Sequence, residues 1–363
     1  VSAPRRPLRI AFVLLGDLDR VSGGFIYDRM LVERLRARGH VVDVVALPWR
    51  SRTRSVTSNL RSLPPELSQA DVVLQDELAH AAMFARNGQL RRAGIPVVAL
   101  VHNLGSLEPR GRGRGVARAL ERRYLRTVDG IVAVCQSTLR DARAELVRDV
   151  PFVVAPAGGD HLPAKRPDGA AVAKRARAAG PLRVLSSATV SRAKGLHRLI
   201  DAVARAPGEI VLDVAGALDV EPIYVRRVRS LVARRGLADR VRLHGLLRGD
   251  ALWSLYAEAH VLALPSDREA YPLAVVEALG FGLAVLVTDR GGAREALGEG
   301  PQGRALPPDE PGPWADALAG FAADRAGLAR AAKAALDRFG ALGTWTDVAS
   351  RVEALCARAA VRR

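Results

Sequence analysis

Apolar runs of strand length alternate along this chain with segments of helical periodicity. In the first half, "LRIAFVLL" precedes a helical pattern over 25–38, and "VVDVVAL" and "DVVLQ" precede one over 78–93. "PVVALV", "DGIVAVC" and "PFVVA" follow, with helical spacing over 138–147. Runs that are apolar throughout predict parallel strands covered on both faces. The alternation breaks at 156–181, "PAGGDHLPAKRPDGAAVAKRARAAGP", where proline, glycine and charge predict a linker. It then restarts with "LRVLSSA", helix 196–206, "EIVLDVAG", helix 221–235, "RVRLHG", helix 250–257, "AHVLALP", helix 272–280, "LAVLVT" and helix 292–297. Helical segments fill 313–338. The last stretch, "TWTDVASRVEALCARAA", sets Trp345, Val348, Val352, Leu355 and Cys356 on one face of a helix.

The pattern predicts an α/β chain of two doubly wound, Rossmann-like lobes facing a cleft. Its expected boundaries are a first lobe over 1–163, a linker over 164–181, a second lobe over 182–343 and a terminal helix over 344–363. A length of 363 residues with 49% apolar content suits two cores rather than one. "VSAPRRPLRIAFVLLGD" imitates a secretory signal, but its apolar run is short and lacks a small-residue cleavage site, so it reads as a first buried strand. Cys135 and Cys356 are too few and too far apart for a disulfide framework or a metal cluster, which fits a reducing compartment. No apolar stretch approaches the roughly 20 residues that span a bilayer. The expectation is a cytoplasmic protein, soluble or peripheral to the inner face of the membrane.

Net charge is +17, and it is uneven: residues 1–180 hold 30 basic and 17 acidic side chains, and residues 181–363 hold 25 and 21. A first half at +13 points to an anionic partner such as a phosphorylated substrate or an acidic membrane. Aromatic residues make up only 4% of the chain, too few to interleave with the arginines as a nucleic-acid platform requires. In "EPRGRGRGVARALERRYLRT" glycines alternate with Arg110, Arg112 and Arg114, and on the helix that follows Arg118, Arg122 and Arg126 form a basic stripe. That stripe faces either solvent or an anion.

Candidate chemistry gathers where strands give way to helices. Lys194 is one of only four lysines against 51 arginines. It stands before Gly195 after the second lobe's first strand, where a compact ammonium can reach a phosphate across a loop. In "SDREAYPLAVVEALGFG", Glu269 lies in the loop before a helix begun at Pro272, and Glu277 lies on that helix. The N–H groups of Ala270, Tyr271 and Leu273 are candidates for an anion at the helix end, whereas proline donates nothing. A carboxylate such as Glu277 suits vicinal hydroxyls, because its two oxygens both accept. In the first lobe Gly23 and Gly24 open the helix after strand one, and His102 follows a buried strand. Asp17 and Asp19 imitate a metal motif but read as a turn.

Together "GG", "VHN", "RAKG", the E-x7-E run of Glu269 and Glu277, and "TDRGGAREAL" resemble the retaining glycosyltransferases of family 4, which have the GT-B fold. The resemblance implies a nucleotide diphosphate-sugar donor held by the second lobe, with Lys194 on the diphosphate, Glu277 on the ribose and the base near Leu246. It implies that Glu269 and the backbone after it hold the sugar and diphosphate, that His102 reaches the sugar from the first lobe, and that the last helix crosses back onto that lobe. The acceptor, a glycan, lipid or small molecule, is expected on the first lobe. No cofactor and no metal are implied. The family's arginine five residues before the lysine is Thr189 here, and Arg192 is the residue placed to deputise.

Overall fold

The computed structural model describes residues 6–20, 22–48, 63–107 and 114–361. Its contacts divide the chain into two compact units, residues 1–158 with 343–363, and residues 159–342.

Unit 1 is built on a six-stranded parallel sheet of β1 (Arg9–Leu15), β2 (Val41–Leu47), β3 (Val72–Asp76), β4 (Val97–Val101), β5 (Gly130–Ala133) and β6 (Phe152–Val154), in the order β2-β1-β3-β4-β5-β6. The inner strands β3, β4 and β5 are buried at every position, as continuous apolar runs require. Edge strand β2 is partly exposed. Unit 2 is built on β7 (Leu182–Ser187), β8 (Ile210–Ala215), β9 (Val241–Gly245), β10 (Val261–Leu264), β11 (Ala284–Thr288) and β12 (Gly303–Leu306), in the order β12-β11-β10-β7-β8-β9. Its core lies on both faces of the sheet. Val261, Ala263, Ala284 and Leu286 join one apolar cluster, and the alternate residues Leu262, Leu264, Val285 and Val287 join the other.

Both orders reverse direction once. In unit 1 the reversal lies between the adjacent strands β1 and β3, and in unit 2 between β7 and β10. In open α/β sheets, ligands bind beyond the carboxyl ends of the strands at such a reversal. The loops after β1, β3, β7 and β10 are therefore the ones with chemistry to explain.

The expected linker, 164–181, is corrected: it carries the helix Gly169–Arg177, part of unit 2. Asp168 caps it by accepting from the Ala171 N–H at 2.8 Å, Val172 and Ala176 are buried, and Arg175 donates to the carbonyls of Ala257, Phe281 and Gly282. Surrounding proline and charge mask this two-residue apolar face in the sequence. The helical reading over 313–338 breaks at Asp324, which ends the helix Pro311–Ala323 and caps Arg325–Gly340 through Gly327 N. The reading over 78–93 resolves into short turns and helices, and β12 is a strand the periodicity does not reveal.

The terminal helix Trp345–Val361 belongs to unit 1, so the chain returns to its first sheet at Gly343. Trp345, Val348, Val352, Leu355 and Cys356 are buried, and the Trp345 ring meets Tyr27 edge-on at 5.1 Å between centroids. Arg351 donates to the Val154 carbonyl, and Arg38 pairs with Glu353 at 2.6 Å. Because Trp345 is wholly buried, Trp345→Ala should cost unit 1 about 3–5 kcal/mol. Urea unfolding of the full chain measures it, and a loss below about 1 kcal/mol would show that the helix is dispensable to the fold.

Candidate functional site

In unit 2 the loops after β7 and β10 are tied together by one ion pair: Lys194 Nζ lies 2.7 Å from Glu269 Oε1. Lys194 ends a single helical turn, Arg192–Lys194, and Gly195 follows in the left-handed region at φ 69°. A Cβ on Gly195 would stand 2.1 Å from the Pro265 carbonyl oxygen, so only glycine lets the two loops touch. Arg198, one turn along the next helix, is buried. It donates to the Pro265 carbonyl and to Asp267 Oδ1, holding the loop that leads to Glu269.

Glu269 is fixed from every side. Its Oε1 also accepts from Ser266 Oγ, its N–H donates to the Arg290 carbonyl, and its carbonyl accepts from Gly292 N–H. Gly291 makes this last approach possible: at φ 86° a Cβ there would lie 2.0 Å from the Glu269 carbonyl oxygen. The "GG" of "TDRGGAREAL" is thus the clamp on Glu269.

Helix Leu273–Gly280 starts one residue later than expected, with Pro272 as its cap rather than its first residue. Glu277 is buried on it, and Oε2 accepts from the Tyr256 hydroxyl at 2.5 Å, while His161 Nε2 stands 3.6 Å from Oε1. Tyr256 thus takes one of the acceptor positions of Glu277, and the carboxylate keeps others for a ligand's hydroxyls. Burial, with the charge of Glu277, drives the Tyr256 hydroxyl well above its usual range, so it stays a proton donor. Thr189 is half-buried after β7. Arg192 is exposed, and its N–H donates to Glu221. Leu246 follows β9 and is exposed, while Ala270, Tyr271 and Leu273 precede or open the helix.

Unit 1 offers a second cluster. Gly23 and Gly24 begin the helix Gly23–Ala37, and the His102 ring lies 3.6 Å from where a Gly24 Cβ would be. His102 does not stand alone after β4. Its Nε2 is hydrogen-bonded to Asp28 Oδ1 at 2.9 Å and lies 3.6 Å from Asp76 Oδ2. Asp28 and Asp76 are 0% and 2% exposed, and Asp28 Oδ2 has no partner among the described residues. Burial raises the Asp28 carboxyl to about 7. Burial and the charge of Asp28 lift Asp76 well above the carboxylate range, while burial lowers His102. Neighbouring Glu77 is raised too, by burial and by Asp76, although Asn103 N–H donates to it at 2.5 Å.

Arg198, Ser266, Tyr256, Asp28 and Asp76 escaped sequence reasoning. The Asp76–Glu77 pair at the end of an apolar strand was the one signal for the last of these, since carboxylates rarely close a buried run without a partner. The basic stripe is exposed at Arg118, Arg122 and Arg126, and two of its members have an internal partner: Arg118 pairs with Glu145 at 2.8 Å and Arg122 pairs with the same carboxylate, while Arg123 beside them lies over the Phe84 ring. Arg110, Arg112 and the Arg114 side chain lie outside the described residues. Asp17 forms the expected turn, accepting from Asp19 N–H. Both cysteines are buried thiols outside any disulfide, with Cys135 Sγ accepting from Thr138 N–H, and among the described residues no helix is long and apolar enough to cross a membrane.

Residues 170–338 match the family described as Glycosyl transferases group 1, and residues 48–161 match Glycosyltransferase Family 4. A D-inositol 3-phosphate glycosyltransferase from Xylanimonas cellulosilytica is 33% identical over 183 residues, 50% of this chain and 43% of that protein. The chain spans less than two thirds of the length of the curated relatives it matches first. Among solved structures, sucrose-phosphate synthase (tll1590) from Thermosynechococcus elongatus superposes with a TM-score of 0.82 at 21% identity, over 99% of this chain and 100% of that one. Anabaena Alr3699/HepE in complex with UDP-glucose superposes with a TM-score of 0.74 at 19% identity, over 96% and 98%. At these identities the likeness is one of fold, and the fold is GT-B.

The Asp28 carboxyl makes the fold sensitive to pH. A carboxyl whose folded value is raised to about 7 binds its proton more tightly folded than unfolded. Its stabilising contribution is complete below about pH 4, the unfolded value, and is lost as pH rises through about 7. Asp28→Asn should flatten the decline in stability across that window, by up to a few kcal/mol. Urea unfolding at several pH values tests this, and an undiminished decline in the variant would assign the effect to other groups.

Proposed function

The chain belongs to the glycosyl transferases of group 1, with a Family 4 segment before them, and from that premise we propose that it moves a sugar from a nucleotide diphosphate donor to an acceptor hydroxyl with retention of configuration. The observation that carries this reading is the Lys194–Glu269 pair at the carboxyl ends of β7 and β10, beside the start of helix Leu273–Gly280. The ammonium neutralises the departing diphosphate, and the positive helix end receives a phosphate oxygen. These charges take the place of a cation, so the transfer needs neither metal nor cofactor. Glu277 Oε1 takes a ribose hydroxyl, Leu246 borders the base, and Glu269 holds the sugar while it holds Lys194.

The bond from the anomeric carbon to the β-phosphate oxygen breaks as the acceptor oxygen bonds to that carbon on the same face. The departing phosphate oxygen receives the acceptor proton, so no separate base is required. Unit 1 takes the acceptor, and His102 is its sugar-contacting side chain. UDP-glucose, present in the Anabaena HepE complex, is the first donor to try.

One residue favours a second reading, binding of sugar nucleotides without turnover: Thr189 stands where the family carries an arginine. Arg192, exposed in the same loop as Lys194, separates the two.

Lys194→Ala should lower donor turnover by about 10²–10³, the size of one preorganised charge stabiliser. Arg192→Ala should fall nearly as far if it deputises for Thr189, and a wild-type rate in that variant would leave the gap real. Glu277→Ala should weaken UDP binding by about 1.5–3 kcal/mol. Glu269→Ala should spare UDP binding and abolish transfer; equal losses of UDP affinity in both glutamate variants, measured by calorimetry, would overturn the assignment.

A further inference from the structure

The buried carboxylates behind His102 have no part in the reaction proposed above, yet they cost stability and lie at the reversal point of the unit 1 sheet. Asp28 comes from the helix after β1, Asp76 closes β3 and His102 follows β4. Two carboxyl groups with oxygens within 4.8 Å of one another, 0% and 2% exposed, do not both ionise, so the pair keeps one proton. The ionised member takes a hydrogen bond from the imidazole at Nε2, which lies 2.9 Å from Asp28 Oδ1. Burial keeps the ring neutral, so a ring that donates through Nε2 has a lone pair at Nδ1.

The ring is held in this attitude from several sides. Tyr27 meets it edge-on at 5.1 Å between centroids, and Tyr27 is itself pinned by its hydroxyl to the Ala155 carbonyl at 2.7 Å. The His102 carbonyl accepts from Thr138 Oγ1 at 3.1 Å. Nδ1 bonds to none of the described residues and is not among the buried unpartnered atoms, so it is the end of this side chain that meets solvent or ligand.

We propose that Asp28, sharing a proton with Asp76, is a positioning residue that locks His102 in the tautomer whose Nδ1 accepts, so that His102 receives a hydrogen from a hydroxyl of a sugar ligand instead of donating one. The ligand class is thus a sugar whose contacted position carries a true hydroxyl. A fluorine there accepts but cannot donate, and leaves Nδ1 without its hydrogen. This assignment of the sugar contact rests on the reading given under the proposed function; the tautomer itself does not.

The test is nitrogen NMR on the full chain labelled with ¹⁵N-histidine, without ligand and at about pH 9, above the Asp28 value of about 7, so that the carboxyl facing the ring is ionised. Wild type should show His102 neutral with its proton on Nε2. Asp28→Asn should move the proton to Nδ1 or mix the two forms, because an amide can turn its N–H toward the ring. Asp76→Asn should keep the wild-type pattern, since its amide can supply the hydrogen that the pair shares. A wild-type imidazolium, or a wild-type proton on Nδ1, overturns the proposal even if the Asp28 variant fails to fold. An unchanged pattern in a folded Asp28→Asn overturns it as well.

Kinetics with UDP-glucose supply the second arm. Asp28→Asn should lose about 10–100-fold in kcat, the usual toll for an orienting partner, with UDP affinity unchanged. Equal kcat in Asp28→Asn and wild type would sink the positioning role. Failure of wild type to bind or turn over any sugar nucleotide would count against the proposed function and leave the tautomer measurement standing.

Discussion

Strands buried on both faces hold their charged groups at their ends, and a neutral polar residue inside one, such as Gln75 of β3, needs a partner, here Asn87. β3, β4, β5, β10 and β11 are covered at every position, so a charged side chain on any of them can survive only where the strand stops. The parallel arrangement gathers the carboxyl ends of all six strands of a sheet along one edge, and the reversal in strand order opens a gap between two neighbouring loops there. Lys194 and Glu269 occupy that gap in unit 2, and Asp28, Asp76 and His102 occupy it in unit 1.

The two gaps solve their electrostatics differently. In unit 2 the buried Glu269 has a cation at 2.7 Å, a serine hydroxyl on the same oxygen and a backbone clamped by the 290–292 loop, so charge is matched by charge. Arg198 and Asp267 repeat this pairing behind it at 2.5 Å. In unit 1 two carboxyls face a single imidazole, and the imbalance is met by protons: Asp28 is raised to about 7, and Asp76 is lifted well above the ordinary carboxylate range. One site is thus arranged to keep fixed charge in place, and the other to keep a proton in a chosen position.

Close backbone approaches hold these charges in place. Gly195 against Pro265 and Gly291 against Glu269 are approaches that a single methyl group would forbid, and each lies directly beside a member of the Lys194–Glu269 pair. The terminal helix has a comparable role in unit 1. Trp345 supports Tyr27, and Tyr27 supports the His102 ring, so residues from the end of the chain brace a side chain more than two hundred positions earlier.

The sequence by itself determined the strands other than β12 and their grouping, because burial on both faces demands apolar runs and those runs are visible without a structure. It determined Lys194, Glu269, Glu277 and His102 as candidates, because each is a polar residue set at the end of such a run or on the helix after it. It also determined the buried face of the terminal helix through helical spacing. The helix Gly169–Arg177 stayed hidden, since two buried residues among prolines and charges make too short a period, and β12 stayed hidden because "GRAL" has no run at all. Only the tertiary structure decided that Tyr256 takes one oxygen of Glu277, that Glu145 draws in Arg118 and Arg122, and that Asp28 and Asp76 converge on His102 from positions 74 and 26 residues away. Those partnerships come from strand order and helix placement, and spacing along a chain carries no record of which strands become neighbours.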